Sequence, residues 1–257
     1  MRFDVITLFP ELFEPHTRSG VTRRAYDSGA IELRLWQLRD HADDAYRRVD
    51  DRPFGGGPGM VMLAEPLQRA LAAVRADRAG PAPLVPAAHA PLVHFTPTGR
   101  PLTQAIVEEF ARGDGAVLLC ARYEGVDQRF IDAEVDLELS LGDYVLSGGE
   151  LPALVLLDAL ARLQPGVLNE PSHQHDSFSD GLLEGPQYSR PEVLDRPDGP
   201  QAVPKVLLSG HHADIARWHR EQALRTTALR RPDLIAKARD LGRLDARDEA
   251  FLRTLKL

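Results

Sequence analysis

The strongest constraint on how this chain folds is the alternation of short apolar runs with helix-period stretches across its first 163 residues. Residues 2–8 (RFDVITL) and 31–36 (IELRLW) read as strands with a helical stretch between them, so the chain is expected to open as a βαβ unit. Residues 92–96 (LVHFT), 116–120 (AVLLC) and 135–140 (VDLELS) repeat the strand pattern, and 64–78, 103–111 and 126–133 predict helices. Such alternation implies an α/β fold with a largely parallel sheet flanked by helices, because parallel neighbours can be joined only through a crossover. Four prolines exclude a helix over 79–91. Residues 149–163 (GELPALVLLDALARL) predict a helix apolar on more than one side, suited to a core or a subunit interface.

Beyond residue 163 the text changes. Residues 164–200 hold six prolines and no sustained period, which predicts a linker between a domain at 1–163 and a small all-helical domain at 201–257. Helices are expected at 210–229, 232–240 and 245–255, broken at Pro232 and Gly242. The net charge of −7 hides an asymmetry: residues 201–257 carry twelve Lys and Arg against seven Asp and Glu, a net of +5, which leaves −12 for the rest. A basic end on an acidic protein suits a nucleic-acid partner, and it equally suits solvated helix faces with i,i+4 ion pairs. The single cysteine, Cys120, cannot form an intrachain disulfide and suits a reducing compartment, so the cytoplasm is the expected location. The start has Asp4 and no signal-peptide pattern, and no run approaches 18 apolar residues, so no membrane association is expected.

In an open parallel sheet, ligands sit beyond the carboxyl ends of the strands. Three turn-rich segments leave the strands there: Pro97-Thr98-Gly99-Arg100, Ala121 to Gly125, and Gly142 to Glu150. Together they read either as a nucleoside pocket, with the rings of Tyr123 and Tyr144 as walls, or as ordinary βα turns. Neither G-x-G-x-x-G after a strand nor G-x-x-x-x-G-K-[ST] occurs. The segment Arg52 to Met60 has four glycines in five positions but no P-loop lysine, and Pro58 removes one amide donor. Its backbone at Gly55, Gly56 and Gly57 could face a flat base or a ribose-phosphate, or simply turn.

Cys120 ends an apolar strand and reads as a buried inert thiol. His173, His175 and Asp176 lack a second ligand set at zinc spacing, and His211-His212 reads as surface, so no zinc site is assigned. Arg162, on the last turn of the long helix, and Asp176 carry more chemical promise. A carboxylate that takes a proton and a guanidinium that holds the resulting charge are the tools for activating a weakly acidic ring nitrogen. A solvated aspartate and a helix-capping arginine remain the alternative reading.

The segments MRFDVITLFPELF, RPFGGGPGMV, RYEGVDQR, SLGDYVLSGGELPALVLLDALARLQPGVL, HDSFSDGLLEGPQYSRPEV and VLLSGHHADIARWHR occur in this order. Together they resemble the bacterial tRNA (guanine-N1)-methyltransferase family, which modifies the guanine 3′ of the anticodon. The resemblance implies a SPOUT-type fold with a deep carboxyl-terminal trefoil knot, S-adenosylmethionine as methyl donor, a homodimer, and a divalent cation, usually magnesium. It implies donor contacts at His94, Phe95, Thr96 and Pro97, at Ala121, Tyr123, Glu124 and Gly125, and at Leu141, Gly142, Asp143, Tyr144, Val145, Leu146, Gly148 and Gly149. Where the family commonly has glycine this chain has Ala121, which needs a main-chain angle open to alanine. Asp176 takes the role of general base for guanine N1 and Arg162 that of stabilising charge on O6, while Glu124 is the candidate metal contact. The basic helices, with Ser209, His211, Lys205, Arg217, Arg220, Arg225, Arg230 and Arg231, become the expected surface for the anticodon stem-loop. Readings from outside this resemblance are a knotted methyltransferase for another RNA, a non-catalytic RNA-binding protein and, more remotely, a phosphotransferase using Gly55 to Gly59.

Overall fold

The computed structural model describes residues 1–80, 90–168 and 176–255. The chain divides into two compact units, Met1–Asn169 and Glu170–Leu257.

The first unit is built on five parallel strands in the order β2-β1-β6-β5-β7. These are β1 (Arg2–Thr7), β2 (Glu32–Gln37), β5 (Leu92–Pro101), β6 (Gly115–Leu119) and β7 (Leu137–Ser140). Side chains alternate between the two faces, as the strand period requires. Phe3, Val5, Val93, Leu118 and Leu139 enter one buried cluster, and Ile6, Leu92, Val117 and Leu119 enter the other. Helix α6 (Glu150–Arg162) covers the first face with Ala153, Leu156, Leu157 and Leu160, all fully buried. On the same face lie α2 (Arg23–Asp27), which contributes Ala25, and α4 (Gln104–Ala111), which contributes Ile106 and Val107; α1 (Glu14–Arg18) precedes α2 and buries no residue. Helix α3 (Ala64–Ala79) covers the second face with Leu67, Ala70, Leu71 and Val74, joined by Phe130 of α5 (Gln128–Glu134).

All five expected strands and the helices between them are present within a few residues of their expected ends. Two features differ. The antiparallel pair β3 (Asp50–Asp51) and β4 (Val61–Met62) closes the glycine-rich segment into a hairpin, too short to leave a periodic signal. Strand β5 runs past its expected end at Thr96: after an irregularity Arg100 and Pro101 pair with Leu139 and Ser140 of β7. Thr98, Gly99 and Arg100 are therefore strand rather than turn. Gly99 lies so close to β7 that a Cβ there would approach the Leu139 amide nitrogen to 2.5 Å.

The second unit is helical, with α7 (His212–Arg230), α8 (Pro232–Asp240) and α9 (Ala246–Thr254). Pro232 opens α8, where its missing amide hydrogen is not needed, and Asp245 and Asp248 form a reciprocal capping box for α9. The expected linker is only partly a linker. Leu182 is buried with Leu224, Ile235, Ala238 and Leu252, and the Leu183 amide donates to Thr227 Oγ1 at 2.8 Å, so this stretch completes the helical core. A small hairpin, β8 (Val193–Leu194) with β9 (Gln201–Ala202), follows. Among the described residues, no helix is long and apolar enough to cross a membrane.

Candidate active site

Strands β6, β5 and β7 are neighbours, so the loops leaving their carboxyl ends converge. They wall a cleft of about 280 Å³. Lining it are His94, Phe95, Thr96 and Pro97 from β5; Ala121, Tyr123, Glu124 and Gly125 after β6; and Leu141, Gly142, Tyr144, Val145, Leu146, Gly148 and Gly149 after β7. Of the donor contacts expected from sequence, Asp143 alone does not line the cleft. Arg122 and Ser147, inside the expected segments, line it too, and so do Leu139, Ser140 and Pro152, which the sequence reading did not place in the site. Leu139 and Ser140 end β7 beside Leu141, and Pro152 lies in the first turn of α6.

Backbone geometry explains much of the loop chemistry. Gly125 (φ +138°) and Gly142 (φ +149°) occupy angles that side chains rarely tolerate, and the Tyr144 ring lies against Gly142. Tyr123 adopts φ +62° without being glycine, and its hydroxyl accepts from Arg39 Nη2 at 3.4 Å. Partial burial, and then the charge of Asp50, raise the Tyr123 pKa, so the ring is a neutral wall. Ala121 is not among the residues with positive φ, so alanine meets no strain where the family commonly has glycine.

His94 is buried with Nδ1 3.2 Å from Glu138 Oε1. Burial lowers its pKa against the opposing pull of Glu138, which favours the neutral imidazole. The Cys120 thiol is fully buried, and burial pushes its pKa well up, as an inert core thiol requires.

The glycine-rich hairpin is tied to the second cleft loop. The Glu124 amide donates to the Met60 carbonyl at 2.9 Å, the Met62 amide to Gly125 at 2.9 Å, and the Asp127 amide to Met62 at 3.0 Å. Gly55, Gly56 and Gly57 all have positive φ, and a Cβ at any of them would meet nothing within 4 Å. Phe54 beside them is fully exposed, at 101%. The segment thus presents open backbone and one free aromatic ring. Gly59 is tighter: a side chain there would overlap Glu124.

Among the described residues, no three His, Cys, Asp or Glu side chains gather at metal-binding distances. Among the described residues, Glu124 therefore belongs to no three-ligand cage. His173 and His175 lie outside the described residues. Arg162, half-buried at the end of α6, belongs to the first unit and Asp176 to the second.

In the helical unit, Arg217 and Arg220 have internal partners. Arg217 reaches Glu221 at 2.8 Å and Asp248 at 3.0 Å, and Arg220 reaches Asp248 at 2.9 Å and also Asp180. Burial pushes the Asp248 carboxyl up, but these guanidiniums outweigh it and hold its pKa low. Arg231 pairs with Asp233, whereas Lys205, Arg225 and Arg230 are exposed. Ser209 and His211 are exposed at the start of α7, where the His211 amide donates to Ser209 Oγ at 3.1 Å.

A family model described as tRNA (Guanine-1)-methyltransferase TrmD matches residues 1–237. The chain belongs to the TrmD family. Proteins named tRNA (guanine-N(1)-)-methyltransferase from Leptothrix cholodnii and Methylibium petroleiphilum are each 67% identical over 258 residues, with at least 98% of every chain covered. One from Bordetella pertussis is 54% identical over 259 residues, covering 99% of this chain and 98% of that one. Family membership makes this chain a methyltransferase.

Proposed function

We propose that this protein transfers a methyl group from S-adenosylmethionine to N1 of the guanine at tRNA position 37, next to the anticodon. The observation that carries the reading is the single cleft formed by the three β5, β6 and β7 loops in a TrmD-family chain. Its walls mix backbone, small residues and the rings of Tyr123 and Tyr144, which suits a nucleoside with a flat base. The bound donor supplies a sulfonium-activated methyl group. Asp176 takes the proton from guanine N1, and Arg162 stabilises the negative charge that grows on O6. Guanine N1 then displaces the sulfonium sulfur in line, with no covalent enzyme intermediate, and positioning supplies much of the acceleration.

The trefoil knot and the homodimer belong to the same proposal. Helix α6 exposes Leu151 and Val155 one turn apart, and Phe9, Leu12, Val145 and Leu146 add apolar surface within the same unit, which supports a second copy as the partner. Residues 201–257 are proposed to hold the phosphates of the anticodon stem-loop, with Gly55, Gly56 and Gly57 meeting the loop bases. Magnesium remains part of the proposal only as a group carried by donor, RNA and Glu124 together, since magnesium is often held by few carboxylates. The site of action is the bacterial cytoplasm, where tRNA is matured.

The test is methyl transfer from labelled donor to unmodified tRNA. N1-methylguanine at position 37 is expected, and its absence beside a working control overturns the reading. Asp176→Asn should lose turnover by about a hundredfold or more while keeping donor binding, as expected of a general base.

A further inference from the structure

Glu150 is 1% exposed, yet it carries a carboxylate. It is the first residue of α6, where the helix dipole favours negative charge, and both of its oxygens are used. Oε1 accepts from Thr7 Oγ1 at 2.9 Å, at the end of β1, and Oε2 accepts from Arg122 Nε at 2.9 Å. Arg122 then crosses the cleft wall: its Nη1 donates to the Ser147 carbonyl at 3.2 Å, and its guanidinium lies 4.5 Å from the Phe9 ring centroid. One buried charge pair thereby joins the end of β1, the loop after β6, the loop after β7 and the start of α6.

Buried ion pairs are poor stabilisers, because the cost of taking both charges out of water offsets much of their attraction. Their planar hydrogen-bond geometry makes them good spacers instead. The neighbouring glycines point the same way. A side chain at position 148 would overlap both Arg122 Nε and Glu150 Oε2, and a Cβ at position 149 would come 2.7 Å from the Cys120 Cα. The Gly149 amide also donates to the Ala121 carbonyl at 2.9 Å. The loop after β7 is thus held against the loop after β6 by a side-chain bridge passing through space that glycine leaves open.

We propose that Glu150 is a positioning residue that, through Arg122 and the Ser147 carbonyl, sets the spacing between the two cleft loops that grip the methyl donor. The inference rests on the methyltransferase reading above. It assigns Glu150 no contact with the reacting atoms. Its effect falls on donor affinity, because the bridge spans the cleft walls and not the proton-transfer groups.

The experiment uses the full-length protein and S-adenosylhomocysteine as probe, with Kd measured by calorimetry beside the KM values for donor and tRNA. Glu150→Gln and Arg122→Met are each expected to weaken probe binding by about tenfold or more, with the loss in donor KM rather than in kcat or tRNA KM. The double variant should bind no more weakly than Arg122→Met alone, since both changes break one unit. Arg122→Lys, which keeps the charge but not the fork, should fall between wild type and Arg122→Met; it carries the comparison if Arg122→Met does not fold. Folded variants that bind the probe at the wild-type Kd, or losses that add independently in the double variant, overturn the bridge. No probe binding by the wild type overturns the proposed reading of the cleft as the S-adenosylmethionine site.

Discussion

The first unit rests on two large apolar clusters and keeps its few buried carboxylates, Asp4 and Glu150, paired with arginines, whereas the helical unit has a small apolar core and leans on charge to hold itself together. The sheet of the first unit is covered on both faces by buried apolar side chains. The helical unit buries only Leu182, Leu224, Ile235, Ala238 and Leu252 as an apolar cluster, a small core for a unit of its length. Around that cluster Asp248 is clasped by Arg217 and Arg220 and also caps α9. A basic stretch of sequence is therefore not the same thing as a free basic surface: part of the charge is already committed to the fold.

The comparison can be broken at the glycine contact in the first unit. Gly149→Ala forces Cys120 or the loop after β7 to shift, and turnover should fall about a hundredfold, as expected for a small misplacement of a reactant. Thermal unfolding of the helical unit should be unchanged, and a matching loss there would remove the distinction. In the helical unit, Asp248→Asn leaves two guanidiniums short of their shared carboxylate. Because both arginines keep some contact with water, about 2–3 kcal/mol of stability should be lost, near the lower end for breaking a buried pair. Denaturant unfolding read at Trp218 would measure it.

The two units should also differ in pH response. Asp248 has a folded-state pKa below its ordinary value of 3.8, so its contribution is present above that value and is lost as pH falls through the lower folded one. In the first unit, burial lowers the pKa of His94, His16 and His41 from 6.5, so stability there should already decline as pH drops below about 6.5. Melting curves between pH 8 and pH 3 should show the first unit weakening before the second. The reverse order would show that the histidines are not the groups in control.

The smallest expected effect concerns RNA. Neutralising an exposed arginine, as in Arg230→Gln, should reduce the slope of log affinity for tRNA against log salt by about 1 if that side chain meets a phosphate. Arg220→Gln should instead show most of its loss as lower stability, with the slope in the folded protein little changed. Equal slope changes in the two variants would mean that the internal ion pairs exchange for phosphate contacts.

Much of the fold was legible because its signals are local. The strand runs and the period of α3 and α6 appear in any short window of the sequence, and Pro232 and Gly242 mark helix ends by their own stereochemistry. The cleft loops were legible because parallel sheets place ligands at strand ends. What escaped has distant partners as its cause. Leu182 looks like a linker residue until α7, α8 and α9 close on it, and Thr98 to Arg100 read as a turn until β7 supplies a partner for β5. Arg122 and Glu150 are 28 residues apart, and no spacing rule joins them.

By itself the sequence determined the class of fold, the helical end, the asymmetry of charge and, through its resemblance, the family. Those properties follow from periodicity, composition and co-linear motifs, each of which acts within the chain as written. Tertiary structure alone decided which residues wall one cleft, which arginines are committed to internal partners, and that Ala121 occupies an unstrained backbone. These depend on distances between segments far apart in the chain, and such distances are set only when the sheet and the helical core have closed.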